Sequence, residues 1–337
     1  MKNFTSVSSS SKPKFQQLIE HIINSIEDGN LVRGQRLPSI NEVSESSGMA
    51  RMTVTKAYDE LRELGLVTSH HGKGFYVAST DTRNQLNVFV LFDALTPFKE
   101  ILYDSLIEEL GEGINVNIFF HHHNLKVFEN LLMNNLGNYN FFVVMPHFKE
   151  DVTHILQKLP KEKLLILDID APTLGDDYAI LCQDFEQNIF QGLTEAKTLI
   201  SKYQTLSLVL SSKSFQYTPV GIINGFERFC NENNISYEII SNLEEEEHLQ
   251  KDHAYLVFRE NDLVRFINWS NKKNWKLGED IGLLSYDDTP IKEILAEGIS
   301  VISNDFSIMG KRAAQMIISR EKGRFVNACY FIQRKSL

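Results

Sequence analysis

Phe15, Leu18, Ile19, Ile22, Ile23 and Ile26 fall at i, i+3, i+4, i+7, i+8 and i+11. That spacing is one apolar stripe on an amphipathic helix, which Gly29 ends. The polar loop RGQRLP follows. Ser39 with Glu42 three residues on reads as a capping box opening a second helix near Ile40, with Ile40 and Val43 turned inward. Ser46-Ser47-Gly48 breaks it. A third helix is predicted from about Arg51 to Leu64, burying Val54, Ala57, Tyr58, Leu61 and Leu64. Arg51, Met52, Thr53, Thr55 and Lys56 lie off that face, near its start. After Gly65, LVTSH and FYVA read as two strands around HGKG, where Gly72 and Gly74 permit positive φ. Two helices joined by a short Gly-containing turn, then a hairpin, make a winged helix-turn-helix.

Beyond residue 86 the period changes. Short apolar runs at 87–92, 115–120, 140–145, 163–168, 206–211, 254–258, 281–285 and 327–334 read as strands. Helical stretches lie between them, among them Pro97–Leu110, Asn188–Ile200 and Ile308–Ser319. Continuously apolar strands alternating with helices predict parallel α/β sheets covered on both faces. About 250 residues suit two such lobes with a cleft between them. The expected plan is a Ser-rich disordered tail at 1–12, a winged helix at 13–78, the polar linker STDTRNQ at 79–85, and a two-lobed α/β domain at 86–337.

Composition adjusts this picture in three places. Cys182, Cys230 and Cys329 are far apart and odd in number, so a disulfide scaffold is not expected; small buried side chains in a reducing compartment fit. No apolar run is long enough for a membrane span, and the N-terminus lacks the apolar core of a signal peptide, so a cytoplasmic protein is expected. The net charge is −10, yet residues 1–80 hold nine Lys/Arg against eight Asp/Glu. The acidity therefore belongs to the back of the chain, and the front remains able to approach a polyanion.

A helix whose first turns are polar can offer base-reading side chains and its N-terminal amides to DNA. Arg36, Arg51, Thr53, Thr55, Lys56 and Lys73 are the candidate DNA contacts, Arg51 foremost because Arg pairs bidentately with guanine or clamps phosphate. His70 and His71 join Lys73 at the hairpin tip. The alternative is a winged helix used only for a protein contact. The pieces LPSINEVSESSG, ARMTVTKAYDELRELGLV and GKGFYVA resemble, in order and spacing, the DNA-binding domain of the GntR family over residues 13–78. The resemblance implies a homodimer reading a palindromic double-stranded operator. Three positions depart from the family: Thr55 stands where Arg is frequent, Ile40-Asn41 where Glu-Arg is, and Ala50 where an N-capping Ser is.

In open α/β sheets ligands sit beyond the carboxyl ends of strands. Asp93 with Thr96-Pro97-Phe98, Asp168 to Asp170, RENDL and YDD all follow strands. Carboxylates and amides beside an aromatic ring suit a polyol. The stretches END, IGLLSYDD, GISVISNDFSIMGKRAAQMI, TPFKEIL and LILDID resemble the LacI-type regulatory domain, which shares the periplasmic sugar-binding fold. Carried over position by position, Asp168, Asn261, Asp287 and Asn304 correspond to effector contacts, joined by Asp93 and Phe98 from the first lobe. The Arg that the family often places three residues before a Gly-Phe pair is Ile222 here, with Arg259 as a possible substitute.

Each of these residues also has a plainer reading. Asp168 and Asp287 cap turns equally well, Asp262 caps the helix it begins, and Phe98 is core. His121-His122-His123 lacks the spacing of a tetrahedral metal site and reads as solvated loop, as Glu244 to Glu247 reads as a solvated helix face. The resulting expectation is a sugar-responsive transcription regulator, by family habit a repressor of carbohydrate-metabolism genes, with no catalytic residue, cofactor, metal or membrane partner. Activation, a non-sugar metabolite as effector, a pyridoxal-dependent enzyme fusion and an architectural DNA binder with a degenerate cleft stand as alternatives.

Overall fold

The five buried residues of the first stripe, Leu18, Ile19, Ile22, Ile23 and Ile26, share one core with Leu37, Val43, Val54, Tyr58, Leu61 and Val77. The computed structural model describes residues 13–70, 73–80, 86–136, 138–210, 218–241, 243 and 248–337. The expected tail, most of the expected linker, His71, Gly72 and the run Glu244 to Glu247 lie outside the described residues.

The first element is helix α1 (Lys14–Glu27), followed by α2 (Ile40–Ser47) and α3 (Arg51–Glu63). Strands β1 (Val67–His70) and β2 (Gly74–Val77) pair antiparallel, Val67 opposite Val77. The alternation continues with β3 (Asn87–Phe92), α4 (Pro97–Leu110), β4 (Asn115–Phe120), α5 (Leu125–Asn135), β5 (Phe141–Val144), α6 (Thr153–Leu156), β6 (Leu164–Asp168) and β7 (Ala179–Cys182). Then come α7 (Phe185–Glu195), α8 (Lys197–Ile200), β8 (Thr205–Val209), α9 (Val220–Asn233), β9 (Ser236–Ile240), β10 (His253–Val257), α10 (Glu260–Lys272) and β11 (Gly282–Tyr286). The chain closes with α11 (Pro290–Ile294), β12 (Ser300–Asn304), α12 (Phe306–Ser319), β13 (Gly323–Val326) and β14 (Cys329–Ile332).

Two six-stranded sheets result, in the orders β13-β7-β6-β5-β3-β4 and β14-β12-β11-β10-β8-β9. The pairing is parallel from β13 through β7 to β6 and from β12 through β11, β10 and β8 to β9, as in Leu165 opposite Ala179, and β14 joins β12 antiparallel. The chain crosses between sheets after β7, after β12 and after β13. Four strands go beyond the runs read from the apolar pattern: β7, β9, β12 and β13. Of these only β12 was indicated, by resemblance. The helix expected at Asn188–Ile200 is two helices, α7 and α8.

Contacts divide the chain into two compact units, Met1–Val90 with Gly111–Phe119 and Glu129–Phe142, and Leu91–Leu110 with Phe120–Phe128 and Val143–Leu337. Glycines set the helix packing of the second unit. A Cβ at Gly310 of α12 would stand 2.3 Å from the carbonyl of Leu102 in α4. One at Gly225 of α9 would stand 2.3 Å from the carbonyl of Glu186 in α7. No helix among the described residues is long and apolar enough to cross a membrane.

Candidate nucleic-acid interface and effector site

The winged helix is tightly specified behind its reading face and open on it. Ser39 N–H donates to Glu42 Oε2 at 2.6 Å and Glu42 N–H to Ser39 Oγ at 3.2 Å, so α2 carries the full capping box. Gly48 ends α2 at φ 67°, the left-handed value that favours glycine. The buried Tyr58 hydroxyl donates to the Pro38 carbonyl at 2.8 Å and fixes α3 to the loop before α2. Burial pushes that phenol's pKa well up.

At the start of α3 the pattern reverses. Ala50 is the N-cap and supplies no side-chain bond. Its carbonyl takes the amides of Thr53 and Val54, at 2.8 and 3.2 Å. The amides of Arg51 and Met52 meet no acceptor among the described residues, which is the state of a helix end poised for an anion. Arg51 is exposed and Thr53 half-buried. Thr55 Oγ1 donates back to the Arg51 carbonyl at 3.0 Å. Lys56 is exposed, but its Nζ sits 3.9 Å from the centre of the Phe15 ring, a cation–π contact that draws it toward α1. Arg36 lies on the wing. It bridges Tyr76, and its guanidinium lies against Gly74, whose φ of 100° favours glycine. Lys73 is exposed at the wing tip, where the Tyr76 hydroxyl donates to its carbonyl at 3.1 Å.

The second candidate site is built at strand ends. Asp93 follows β3, His121 to His123 follow β4, His147 follows β5, Asp168 ends β6 and Gln183 follows β7. Asp168 (φ 75°) and His123 (φ 56°) hold left-handed backbone, which costs a non-glycine residue roughly 1 kcal/mol and aims the side chains along this edge. Asp93 Oδ1 takes Lys99 Nζ, and Asp93 Oδ2 stands 3.4 Å from both His123 Nε2 and His147 Nδ1. His147 Nε2 meets Asp168 Oδ2 at 2.8 Å.

Histidine chemistry follows from these partners. Both ring nitrogens of His147 stand close to carboxylate oxygens, although Nε2 makes no hydrogen bond of good geometry among the described residues, and this setting favours the protonated ring. Burial opposes that charge, but Asp168 and Asp93 outweigh it and raise the His147 pKa. Burial likewise opposes ionisation of the two aspartates, and His147 and Lys99 hold both below the usual carboxylate range. His121 is the opposite case. Its Nε2 lies 3.0 Å from the Met145 carbonyl and must donate, and its Nδ1 accepts the His123 amide at 3.2 Å. The ring is therefore neutral, enclosed by Phe128 and Phe148, and burial lowers its pKa to about 4. The expectation of a solvated histidine loop holds for exposed His122 and fails for its neighbours: His121 is fully buried against the Phe128 and Phe148 rings, and His123 is half-buried.

From Asp168 the network continues to the second sheet. Gln183 Nε2 donates to Asp168 Oδ1, and Gln183 Oε1 accepts the Tyr286 hydroxyl at 3.0 Å and the Asn304 amide. Asn188 Nδ2 donates to Asn304 Oδ1 at 3.3 Å. Gln183 and Asn304 stand where the chain crosses between sheets, so the buried polar chain passes through two of the three crossovers.

Asp287 and Asp288 of the YDD turn have different surroundings. Asp288 is taken by Arg334 in a two-pronged pair, at 2.9 and 2.6 Å. Asp287 (φ 57°) has a buried Oδ1 without a hydrogen-bond partner among the described residues. Burial raises its pKa, opposed by Lys292 and reinforced by Asp168. Buried Lys292 spends its Nζ on the carbonyls of Tyr286 and Asp287.

The structure thus brings Asp93, Asp168 and Asn304 into one bonded network and sets Asp287 within electrostatic reach of it. Phe98 is half-buried with its ring on Phe306, centroids 4.7 Å apart. Asn261 is exposed in the first turn of α10, and no bond joins it to the network among the described residues. Asp262 is not the cap of α10. Arg259 holds that position, and Asp262 is buried, 4.0 Å from Arg259 Nε and 3.7 Å from Arg265 Nη1. Ile222 is core, so the position where the resemblance expects Arg presents no charge. Lys99, His147, Gln183 and Tyr286 are central to the network and were not singled out from sequence. His147 follows an apolar run at the same carboxyl edge as Asp93, so the strand-end rule, extended to β5, would have found it.

Comparisons with known proteins agree with both halves. Bacterial regulatory proteins of the gntR family match residues 14–77, and a periplasmic binding protein-like domain matches residues 201–328. The transcriptional repressor YtrA of Bacillus subtilis is 32% identical over 107 residues, 32% of this chain and 78% of that protein. Of several other curated relatives the chain spans only part, from 14% to 58% of their length. Among solved structures, a dimeric Lac repressor superposes with TM-score 0.65 at 15% identity, covering 74% of this chain and 98% of that one. The trehalose repressor of Escherichia coli gives TM-score 0.62 at 13% identity, covering 73% and 99%. These proteins are transcription regulators and not enzymes, which sets aside the pyridoxal-enzyme alternative.

Proposed function

We propose, from the premise that this chain belongs to the gntR family of bacterial regulatory proteins, that it is a sugar-responsive transcription repressor acting as a cytoplasmic homodimer. The winged helix at 13–78 reads DNA, residues 79–85 link it to the body, and 86–337 bind effector and dimerise. Two copies of α3 enter successive major grooves about 34 Å apart on a palindromic operator. Arg51, Thr53 and Thr55 face base edges, while Arg36, Lys56 and Lys73 hold phosphate or the neighbouring groove.

The observation that carries the effector half is the buried polar chain from Asp93 to Asn304, with one Asp287 carboxylate oxygen left unpaired beside it. A hydroxyl-rich ligand supplies the missing donor to Asp287 and exchanges bonds with Asp168, Asn304 and Asp93, while Phe98 covers an apolar ring face and Asn261 closes from α10. The Lac and trehalose repressors share this fold, which favours a sugar; a monosaccharide or derivative is the proposed size. Ligand that binds one lobe arrangement more tightly shifts the dimer toward it and releases the operator. Ile222 in the core supports a second reading, a non-sugar metabolite that has no use for an arginine at that position.

A thermal-shift panel of monosaccharides, sugar phosphates and non-sugar metabolites tests this. One compound should raise the melting temperature of wild type and not of Asp287→Ala. A response to no sugar, or an equal response in the variant, counts against the sugar site.

A further inference from the structure

Met52 is the most exposed large apolar side chain among the described residues, 84% accessible, and it stands in the first turn of α3. Nothing in the winged helix accounts for it. The core of that unit is filled by Val54, Ala57, Tyr58 and Leu61 from the opposite face of α3. Lys56, one turn on and the residue best placed to cover Met52, is drawn instead onto the Phe15 ring. Met52 is flanked by exposed Arg51 and half-buried Thr53 and Thr55, and its own amide is one of the two without an acceptor.

A thioether has no hydrogen to donate and accepts weakly, so it gains little from phosphate or from the polar edges of bases. The major groove presents one apolar feature, the C5-methyl of thymine. The length and flexibility of methionine let it settle on such a methyl without a fixed rotamer.

We propose that Met52 is a specificity-determining residue that reads the C5-methyl of a thymine in each operator half-site. The inference rests on α3 being the DNA-reading helix. It divides the readout between a polar part, Arg51 with the threonines, and an apolar part that discriminates thymine from cytosine by its methyl.

The test uses the full-length protein on duplexes selected from a randomised pool. Each thymine of the selected half-site is replaced in turn by deoxyuridine, which deletes the methyl and keeps every hydrogen-bonding group. Wild type should lose about threefold to tenfold in affinity at one thymine per half-site, the scale of one buried methyl. Met52→Ala should bind the thymine duplex with that same loss and show no further loss on the deoxyuridine duplex. Met52→Leu should recover most of the sensitivity. The side chain is exposed, so equal melting of the variants checks that folding is unchanged. Wild-type indifference to deoxyuridine, or undiminished sensitivity in Met52→Ala, overturns the Met52 assignment while leaving α3 as the reader. Failure of the pool to yield any preferred sequence overturns the assignment together with the DNA-binding reading.

Discussion

The winged helix and the effector unit treat their functional groups in opposite ways. In the head, the polar devices that fix the start of α2 and the seat of α3 are closed on themselves, in the Ser39–Glu42 box and the Tyr58–Pro38 bond. The reading face is left open: Ala50 caps nothing and Arg51 and Met52 point outward. In the effector unit the candidates Asp93, Asp168 and Asn304 are buried and engaged by neighbouring side chains, while Asp287 Oδ1 is buried without a hydrogen-bond partner among the described residues. The head is thus pre-organised for a partner and pays little to bind it, whereas a ligand at the strand ends must replace bonds that the protein already makes. That difference suits a regulator. Under the proposed function, DNA affinity would reside in the open face of the head, and a ligand would have to compete with the internal network of the sensor.

The comparison is easiest to break at His147, which separates two buried carboxylates. His147→Ala leaves both uncompensated and should cost about 3–5 kcal/mol. Both tryptophans, Trp269 and Trp275, lie in the second unit, so their fluorescence during urea unfolding reports it directly. A midpoint within error of wild type would show that the network carries no net stability.

Arg51→Ala attacks the open face. It should lower operator affinity by about 1–3 kcal/mol per half-site and leave the tryptophan transition in place, checked by fluorescence anisotropy and urea titration. Ser39→Ala removes one half of the α2 box and should cost about 1 kcal/mol. The loss should appear in the melting of an isolated 13–78 fragment, if that fragment folds, or in far-UV melting of the whole chain, and not in the tryptophan signal.

The smallest effect is in pH. His121 has a folded pKa near 4, below its ordinary value of 6.5, so its contribution is complete above 6.5 and is lost as pH falls toward 4. His147 has a raised folded pKa, so its contribution is complete below 6.5 and is lost as pH rises through the folded value. Lowering pH from 6 to 4.5 should therefore cost roughly 1 kcal/mol through His121, in a range where the His147 contribution is already complete. The His121→Asn variant should lack that acid-side slope; retention of the slope would place its origin elsewhere.

The head was nearly all legible, because local chemistry sets it: an apolar period of 3.6, a capping box and a Gly turn appear at the positions where sequence placed them. The strand-end aspartates were legible for a similar reason, since polar residues after apolar runs mark the carboxyl edge. What escaped depends on tertiary packing. β7 is a four-residue strand with no polar alternation to mark it, so Gln183 at its end went unseen. Three consecutive histidines look solvated until Phe128 and Phe148 are known to close over the first of them. The exposure of Asn261 and the pull of Phe15 on Lys56 are likewise matters of which face meets which neighbour.

Coupling between sensor and head is tested most directly by titrating a selected operator with full-length protein, with and without the compound that stabilises it thermally. Operator affinity should fall by at least fivefold at saturating compound, and operator should weaken binding of the compound by the same factor. An operator affinity unchanged by a compound that demonstrably binds would contradict the coupling.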